Sequence, residues 1–507
     1  MPSFIGIVFM VTFTSLSLWL LFKENKEIRK YFGTAFVVSF LFYLANYLLY
    51  PGFLGYFKLA IGLIMLFVGG FVLNAFSGNK ILFVLLLGLS LLGLWYLPDI
   101  PKIPFLNSAK LSDFNRLDPN FELLVELKPG KSASSIEKII SKYNLQTEKA
   151  FELENGDISD LDDYIAVNIP ENQMKNFDRI VKELKSSAEV DAIEQNEILT
   201  LFEPQKSVVP MKSKRPSALN DPELDKVWTI GILQLDTLHR YLSQKKIKPR
   251  KKAKIAIIYT GVEANHQDLS ANFTSTRVEY DEDPSGHGTH CAGIAAAVSN
   301  NRKGIASFAP SNDFVEVTSI QVFSSSGGTT QRTIIRGMIL AIDNGADVLS
   351  MSLGGPSNDA AQAAYKAVVD YAAKKGVIIV AAAGNENDDA TRKVPASVDG
   401  IIAVAATDEQ NRKASFSNDV SNIKWGIAAP GVNIFSTMPG SRYDYMSGTS
   451  MATHYVAGLL GLLKSIDPTL EAERAFEIIN SSGIETASGK KSGRLIQPMG
   501  ALIKLLE

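Results

Sequence analysis

Cysteine is almost absent from this sequence. Cys291 stands alone among 507 residues. That excludes an intramolecular disulfide framework and a multi-cysteine zinc or iron–sulfur site. Net charge is also nearly absent: 51 Lys and Arg against 53 Asp and Glu leave −2 at pH 7. That balance, with 46% hydrophobic residues, fits neither a disordered chain nor a strongly nucleic-acid-like one. Mean hydropathy is +0.07, high for a chain so rich in lysine, and it averages two unlike parts.

Charge is missing altogether from residues 3–22, 31–50 and 81–97, and residues 56–76 carry only Lys58. Each stretch is near the length that crosses a hydrocarbon core of ~30 Å. The start, MPSF, has neither the basic region nor the small-residue cleavage site of a signal peptide. Four transmembrane helices are therefore expected. The loop after the first holds Lys23, Lys26, Arg29 and Lys30, and the loop before the fourth holds Lys80. Basic loops stay cytoplasmic, so everything after residue 98 is expected outside, in the periplasm or at the cell exterior. Lys58 is expected to snorkel to the interface. No other span is ionisable, which argues against ion conduction.

The rest divides by composition. Residues 99–118 form a linker; Pro98 just before it and Pro101 and Pro104 within it favour extended chain. Residues 119–202 alternate as strand, helix, strand, strand, helix, strand, an order that suits a ferredoxin-like α+β module. Residues 203–220 are polar and basic with three prolines, a second linker and a plausible cleavage region. A final domain spans 221–507.

That domain carries four ordered stretches: GHGTHCAGIAAAVSNN (286–301), VLSMSLGG (348–355), VIIVAAAGNEN (377–387), and APGVNIFSTMPG with YMSGTSMATHYVAG (429–458). A serine hydroxyl is a weak nucleophile and needs a base within hydrogen-bond reach. His287 and Ser450 each stand at the start of an expected helix, and Ser450 N–H faces where negative charge is favoured. Asn385, after an apolar strand, can offer a side-chain N–H to an oxyanion. Ser352, Leu353 and Gly354 are expected to form an edge strand for extended peptide, with Gly354 and Gly355 admitting a close approach.

Together these stretches resemble the subtilisin-like serine peptidases (subtilases). The resemblance implies an α/β fold with a mostly parallel sheet flanked by helices. It implies His287 as base, Ser450 as nucleophile and Asn385 as oxyanion donor. It implies that the module at 119–202 is an inhibitory propeptide that also assists folding. It further implies a structural calcium ion near Asp268 and Asn301, and peptide or protein substrates rather than nucleic acid.

The sequence departs from the family where the triad acid belongs. In KIAIIYTGVEANHQDL (254–269) that position holds Tyr259. A phenol is neutral at pH 7 and brings no full charge to the imidazole. Glu263, Asp281, Glu282 and Asp283 lie near enough in sequence to be candidate replacements. Where the family has Pro-His after GTSMAT, this chain has His454-Tyr455. Attenuated hydrolysis, or a catalytically inactive pseudopeptidase that binds extended peptide, are the two readings that remain. The run KKIKPRKKAK (245–254) holds seven basic residues and reads as a solvated loop, with anionic lipid as the alternative contact.

Overall fold

In the computed structural model, residues 117–153, 159–200, 219–324 and 327–507 are described, all within the compact unit Asn115–Glu507. The four uncharged stretches and most of both linkers lie outside the described residues. Among the described residues, no helix is long and apolar enough to cross a membrane.

The first part is a four-stranded antiparallel sheet with two helices. Its strands are β1 (Leu123–Leu127), β2 (Gln146–Lys149), β3 (Tyr164–Asn168) and β4 (Val190–Gln195), in the order β2-β3-β1-β4. Helix α1 (Glu137–Tyr143) ends at Asn144, whose left-handed backbone stops it. Helix α2 (Phe177–Lys185) buries Phe177, Ile180 and Leu184, one stripe at helical spacing. In β1, Leu123, Leu124 and Val125 are all buried, so both faces of the strand are covered. Leu124, Phe151, Leu161 and Tyr164 belong to the same apolar core as the larger domain. The module therefore buries one face of its sheet against its neighbour. A short strand, β5 (Ile198–Thr200), leads out of it.

The larger domain opens with α3 (Leu235–Gln244) and is built on β6 (Ala253–Tyr259), β7 (Val315–Gln321), β9 (Val348–Met351), β11 (Ile378–Ala382), β13 (Ile401–Thr407) and β14 (Gly426–Pro430). These form one wholly parallel sheet ordered β14-β13-β11-β9-β6-β7. Strands such as AKIAIIY are nearly continuous apolar runs because a parallel sheet is covered on both faces. The helices that follow in the chain are α4 (His287–Ala296), α5 (Gln331–Asp343), α6 (Asp359–Lys374), α7 (Thr449–Ile466), α8 (Ala472–Ser482) and α9 (Pro498–Leu506). Helix α7 is buried along its whole length. It crosses α4 closely: a Cβ on Gly458 would lie 2.8 Å from the Ala295 carbonyl oxygen. Smaller strands complete the domain: β8 (Gly328–Thr330), β10 (Gly355–Pro356) with β12 (Lys393–Val394), and β15 (Ile434–Met438) with β16 (Arg442–Met446).

The chain leaves β6 for β7 on one side and then crosses to β9 on the other. Open α/β sheets bind ligands outside the carboxyl ends of strands at such a switch. Tyr259 ends β6, Ser352 follows β9, and Asn385 lies three residues past β11.

Candidate active site

His287 is the first residue of α4. Gly286 before it turns with φ 79°, a conformation that favours glycine. The exposed N–H groups of the first turn are taken by a polar frame. Asp283 accepts from Thr289 N–H and Thr289 Oγ1, both at 2.8 Å, and from Thr260 Oγ1 at 2.9 Å. Thr260 Oγ1 accepts in turn from Gly288 N–H at 2.9 Å. Asp283 thus acts as a helix cap.

Two of the other acids near in sequence, Glu263 and Asp281, are also engaged. Glu263 accepts from Gly440 N–H at 2.7 Å and from Ser441 N–H at 3.3 Å. Asp281 accepts from Ser275 Oγ at 2.9 Å. Among the described residues, no carboxylate hydrogen-bonds to His287.

Tyr259 does. Its Oη lies 3.0 Å from His287 Nδ1, and the two rings meet edge-on at 4.7 Å. The phenol ring is fully buried between the imidazole and Phe323, which it meets edge-on at 5.5 Å. The tyrosine therefore occupies the orienting position of the imidazole without expelling it. Burial, and then the nearby His290 and His454, push the His287 pKa down to about 3. His290 donates from Nε2 to the carbonyls of Ile434 and Asp444 at 3.1 and 3.2 Å. His454 donates from Nδ1 to the Ser450 carbonyl at 2.6 Å. Burial holds both of their pKa values down to about 4.

Ser450 is the second residue of α7 and is buried. Ser352 Oγ donates to the Ser450 carbonyl at 3.4 Å. Asn385 is oriented by Thr449, whose N–H and Oγ1 donate to Asn385 Oδ1 at 2.9 and 2.8 Å. That leaves Asn385 Nδ2 without a partner among the described residues. A Cβ on Gly448 would sit 3.5 Å from it and 3.7 Å from Ser450 N, so both donors lie beside Gly448. His287 Nε2, Ser450 Oγ and Asn385 Nδ2 are all buried, and none has a partner among the described residues. Buried polar atoms are ordinarily paired, so these three are left open to a ligand, and His287 Nε2 and Ser450 Oγ are not hydrogen-bonded to each other in this structure.

The cleft differs from the sequence-based expectation. Ser352, Leu353 and Gly354 continue past β9 without joining a strand. A separate short edge, β8, is paired antiparallel by β5, with Ile198 opposite Thr330 and Thr200 opposite Gly328. Leu199 lies against Gly355, where any Cβ would collide with its Cδ2. Nothing in the periodicity of β8 announces it; the only signal was the Gly-Gly pair before Thr329. The module is held further by Gln331 Nε2 donating to Glu194 at 2.8 Å, and by Arg332, which pairs with Glu148 and donates to the Ala150 carbonyl at 3.3 Å.

Asp268 and Asn301 come together: Asn301 Nδ2 donates to Asp268 Oδ1 at 2.7 Å, and Ile305 N–H donates to Oδ2 at 2.8 Å. Burial, aided by the charge of Asp221, pushes the Asp268 pKa up to about 6. Asp221, which the sequence reading passed over, accepts from Asn300 and Asn301 N–H at 2.9 and 3.0 Å. Two buried carboxylates and an amide, brought from three segments of the chain, are groups of the kind a hard cation takes. Among the described residues no cluster of three or more His, Cys, Asp or Glu could hold a metal, so any such ion would need backbone and amide oxygens.

A parallel α/β sheet with a helix-borne histidine and serine, beside an amide and a backbone donor, defines a serine-hydrolase-type architecture. Comparison with known proteins narrows the class. Residues 250–496 match the model of the subtilase family. Thermitase of Thermoactinomyces vulgaris is 44% identical over 246 residues, covering 48% of this chain and 82% of that protein. Subtilisin DY of Bacillus licheniformis is 40% identical over 236 residues, covering 45% and 82%. The crystal structure of fervidolysin from Fervidobacterium pennivorans, a keratinolytic enzyme related to subtilisin, superimposes with a TM-score of 0.60 at 22% identity, over 76% of this chain and 61% of that one. The chain belongs to the subtilase family.

Proposed function

We propose that this is a membrane-anchored, outward-facing subtilase in which peptide-bond hydrolysis is strongly attenuated while the peptide cleft is kept. The hydrogen bond between Tyr259 Oη and His287 Nδ1 carries this reading. Where the phenol donates, the neutral ring holds its proton on Nε2 and offers Ser450 a donor instead of a base. Where the phenol accepts, Nε2 is basic, but the imidazolium that must form has no anion beside it. Either way the step that deprotonates Ser450 is disfavoured, as the depressed basicity of His287 also implies. In subtilisin, removing the triad acid costs ~3 × 10⁴ in kcat, which is about 6 kcal/mol.

The residual chemistry would use His287 as base, Ser450 as nucleophile, and Asn385 Nδ2 with Ser450 N–H as oxyanion donors. The module at 119–202 acts as a propeptide whose β5 lies where extended substrate would pair. The pseudopeptidase reading is favoured by that same contact, because an uncut β5 would remain in the cleft. Asp268, Asn301 and Asp221 would hold a structural calcium ion, which would neutralise the two carboxylates and stiffen the 299–305 loop. The four uncharged stretches at 3–97 support the anchor, and the basic loop at 23–30 supports the outward orientation.

A fluorophosphonate probe tests the reading. Slow labelling of Ser450, abolished in Ser450→Ala and accelerated in Tyr259→Asp, is the expected result. Wild-type labelling at the rate of an intact subtilase would refute attenuation. Silence in both wild type and Tyr259→Asp would move the block away from residue 259.

A further inference from the structure

The loop from α3 to β6 holds the largest concentration of one charge sign among the described residues. Lys245, Lys246, Lys248, Arg250, Lys251 and Lys252 are all exposed within eight positions. Soluble surfaces ordinarily intersperse both signs. Here Lys251 pairs with Asp347, whereas no described carboxylate lies within 4 Å of Lys245, Lys246, Lys248, Arg250 or Lys252. Other acids at this end are engaged locally: Asp313 by Ser311, and Asp467 by Thr469. The loop is also fixed in place. Ile247 N–H donates to the Leu242 carbonyl at 3.0 Å, and Arg250 N–H donates to the Ser465 carbonyl at 2.7 Å.

Ser465 places the patch relative to the cleft. It lies in the last turn of α7, whose second residue is Ser450. At 1.5 Å per residue, the 15 steps between them span about 22 Å. The basic loop also precedes β6, while Tyr259 ends that strand. Patch and cleft therefore occupy opposite ends of the parallel sheet.

We infer that residues 245–252 dock on the anionic headgroups of the bilayer that anchors the chain, turning the cleft away from the membrane. The inference rests on the anchored, outward-facing reading, which brings this domain to a lipid surface. Residues 98–116 would reach roughly 65 Å if fully extended. A fixed group of unpaired cations is the chemistry that anionic lipid attracts, and salt screens that attraction.

The test reconstitutes the full chain into phosphatidylcholine vesicles, with or without ~30 mol% phosphatidylglycerol, and acetylates it with a membrane-impermeant reagent. Lys246, Lys248 and Lys252 should react ~threefold or more slowly in the anionic vesicles, and at equal rates at 1 M salt. Lys138 and Lys185 on the module should react alike throughout. The variant K246Q/K248Q/R250Q/K252Q should abolish any lipid-dependent change at Lys245. Equal rates for wild type in both vesicles would overturn the inference. So would protection by added heparin without protection by lipid, which would assign the patch to a soluble polyanion. A chain that washes off in 1 M salt, yet binds anionic vesicles through these lysines at low salt, would sink the anchor and leave the patch standing.

Discussion

Tyr259 brings a full aromatic ring to a place where a small carboxylate would leave room, and Phe323 packs against that ring. Tyr259→Asp should therefore change two things in opposite directions. Probe labelling should rise, toward the ~3 × 10⁴ that the acid is worth in a relative. Thermal stability should fall, because a buried ring lost from a core costs about 3–5 kcal/mol. A variant that labels faster at unchanged Tm would show that the ring contributes no packing. The histidines give a second residue-scale expectation. His287, His290 and His454 are buried with pKa values pushed down to about 3, 4 and 4, against ~6.5 when unfolded. A base depressed on folding contributes stability that is complete above the unfolded pKa and lost as pH falls toward the folded one. Asp268, raised to about 6, acts in the opposite direction. The informative quantity is thus a comparison: on going from pH 7 to 5, Tm should drop less in His454→Asn than in wild type. An equal drop would mean that His454 is not held neutral.

Elements were legible where one pattern dominates. The apolar runs ending at Tyr259 and Ala382 announced buried parallel strands, and the small-residue segments after His287 and Ser450 announced helices that pack closely. Pairing across long separations was not legible. The strand Gly328–Thr330 has no apolar alternation, and its partner Ile198–Thr200 lies about 130 positions earlier, so only the folded chain reveals that they meet. Asp283 was one of four acids near enough in sequence to reach the imidazole, and spacing singled out none of them. Its commitment to capping α4 depends on side-chain directions that spacing does not carry. The seam between module and domain has its own pH response. Glu194 is buried there against Gln331, near the buried Tyr365, and burial raises its pKa to about 8. A raised carboxyl stabilises the protonated, docked form, and that contribution is lost as pH rises through the folded pKa. Protease nicking of the 203–220 segment should therefore quicken between pH 7 and 9 in wild type, and change little in Glu194→Gln. Equal acceleration in both would remove Glu194 from the seam's titration.

For the whole molecule, the segment at Asn220–Asp221 is tied to the 300–302 loop by five hydrogen bonds across some 80 positions. Closing so long a loop makes that clasp a contributor to global stability. If calcium binds beside it, chelation should lower the Tm by several degrees and Asp268→Asn should abolish the response. A Tm indifferent to chelator would leave the hydrogen bonds alone as the clasp.

The frame around Tyr259 has a genetic consequence. Thr260, Asp283 and Thr289 hold the first turn of α4, and Thr449 orients Asn385. Tyrosine and aspartate codons differ only in their first base. On the proposed reading, a single nucleotide change would therefore place a carboxylate beside His287. Selection for extracellular proteolysis in a population carrying this gene should recover revertants at codon 259 before changes anywhere else.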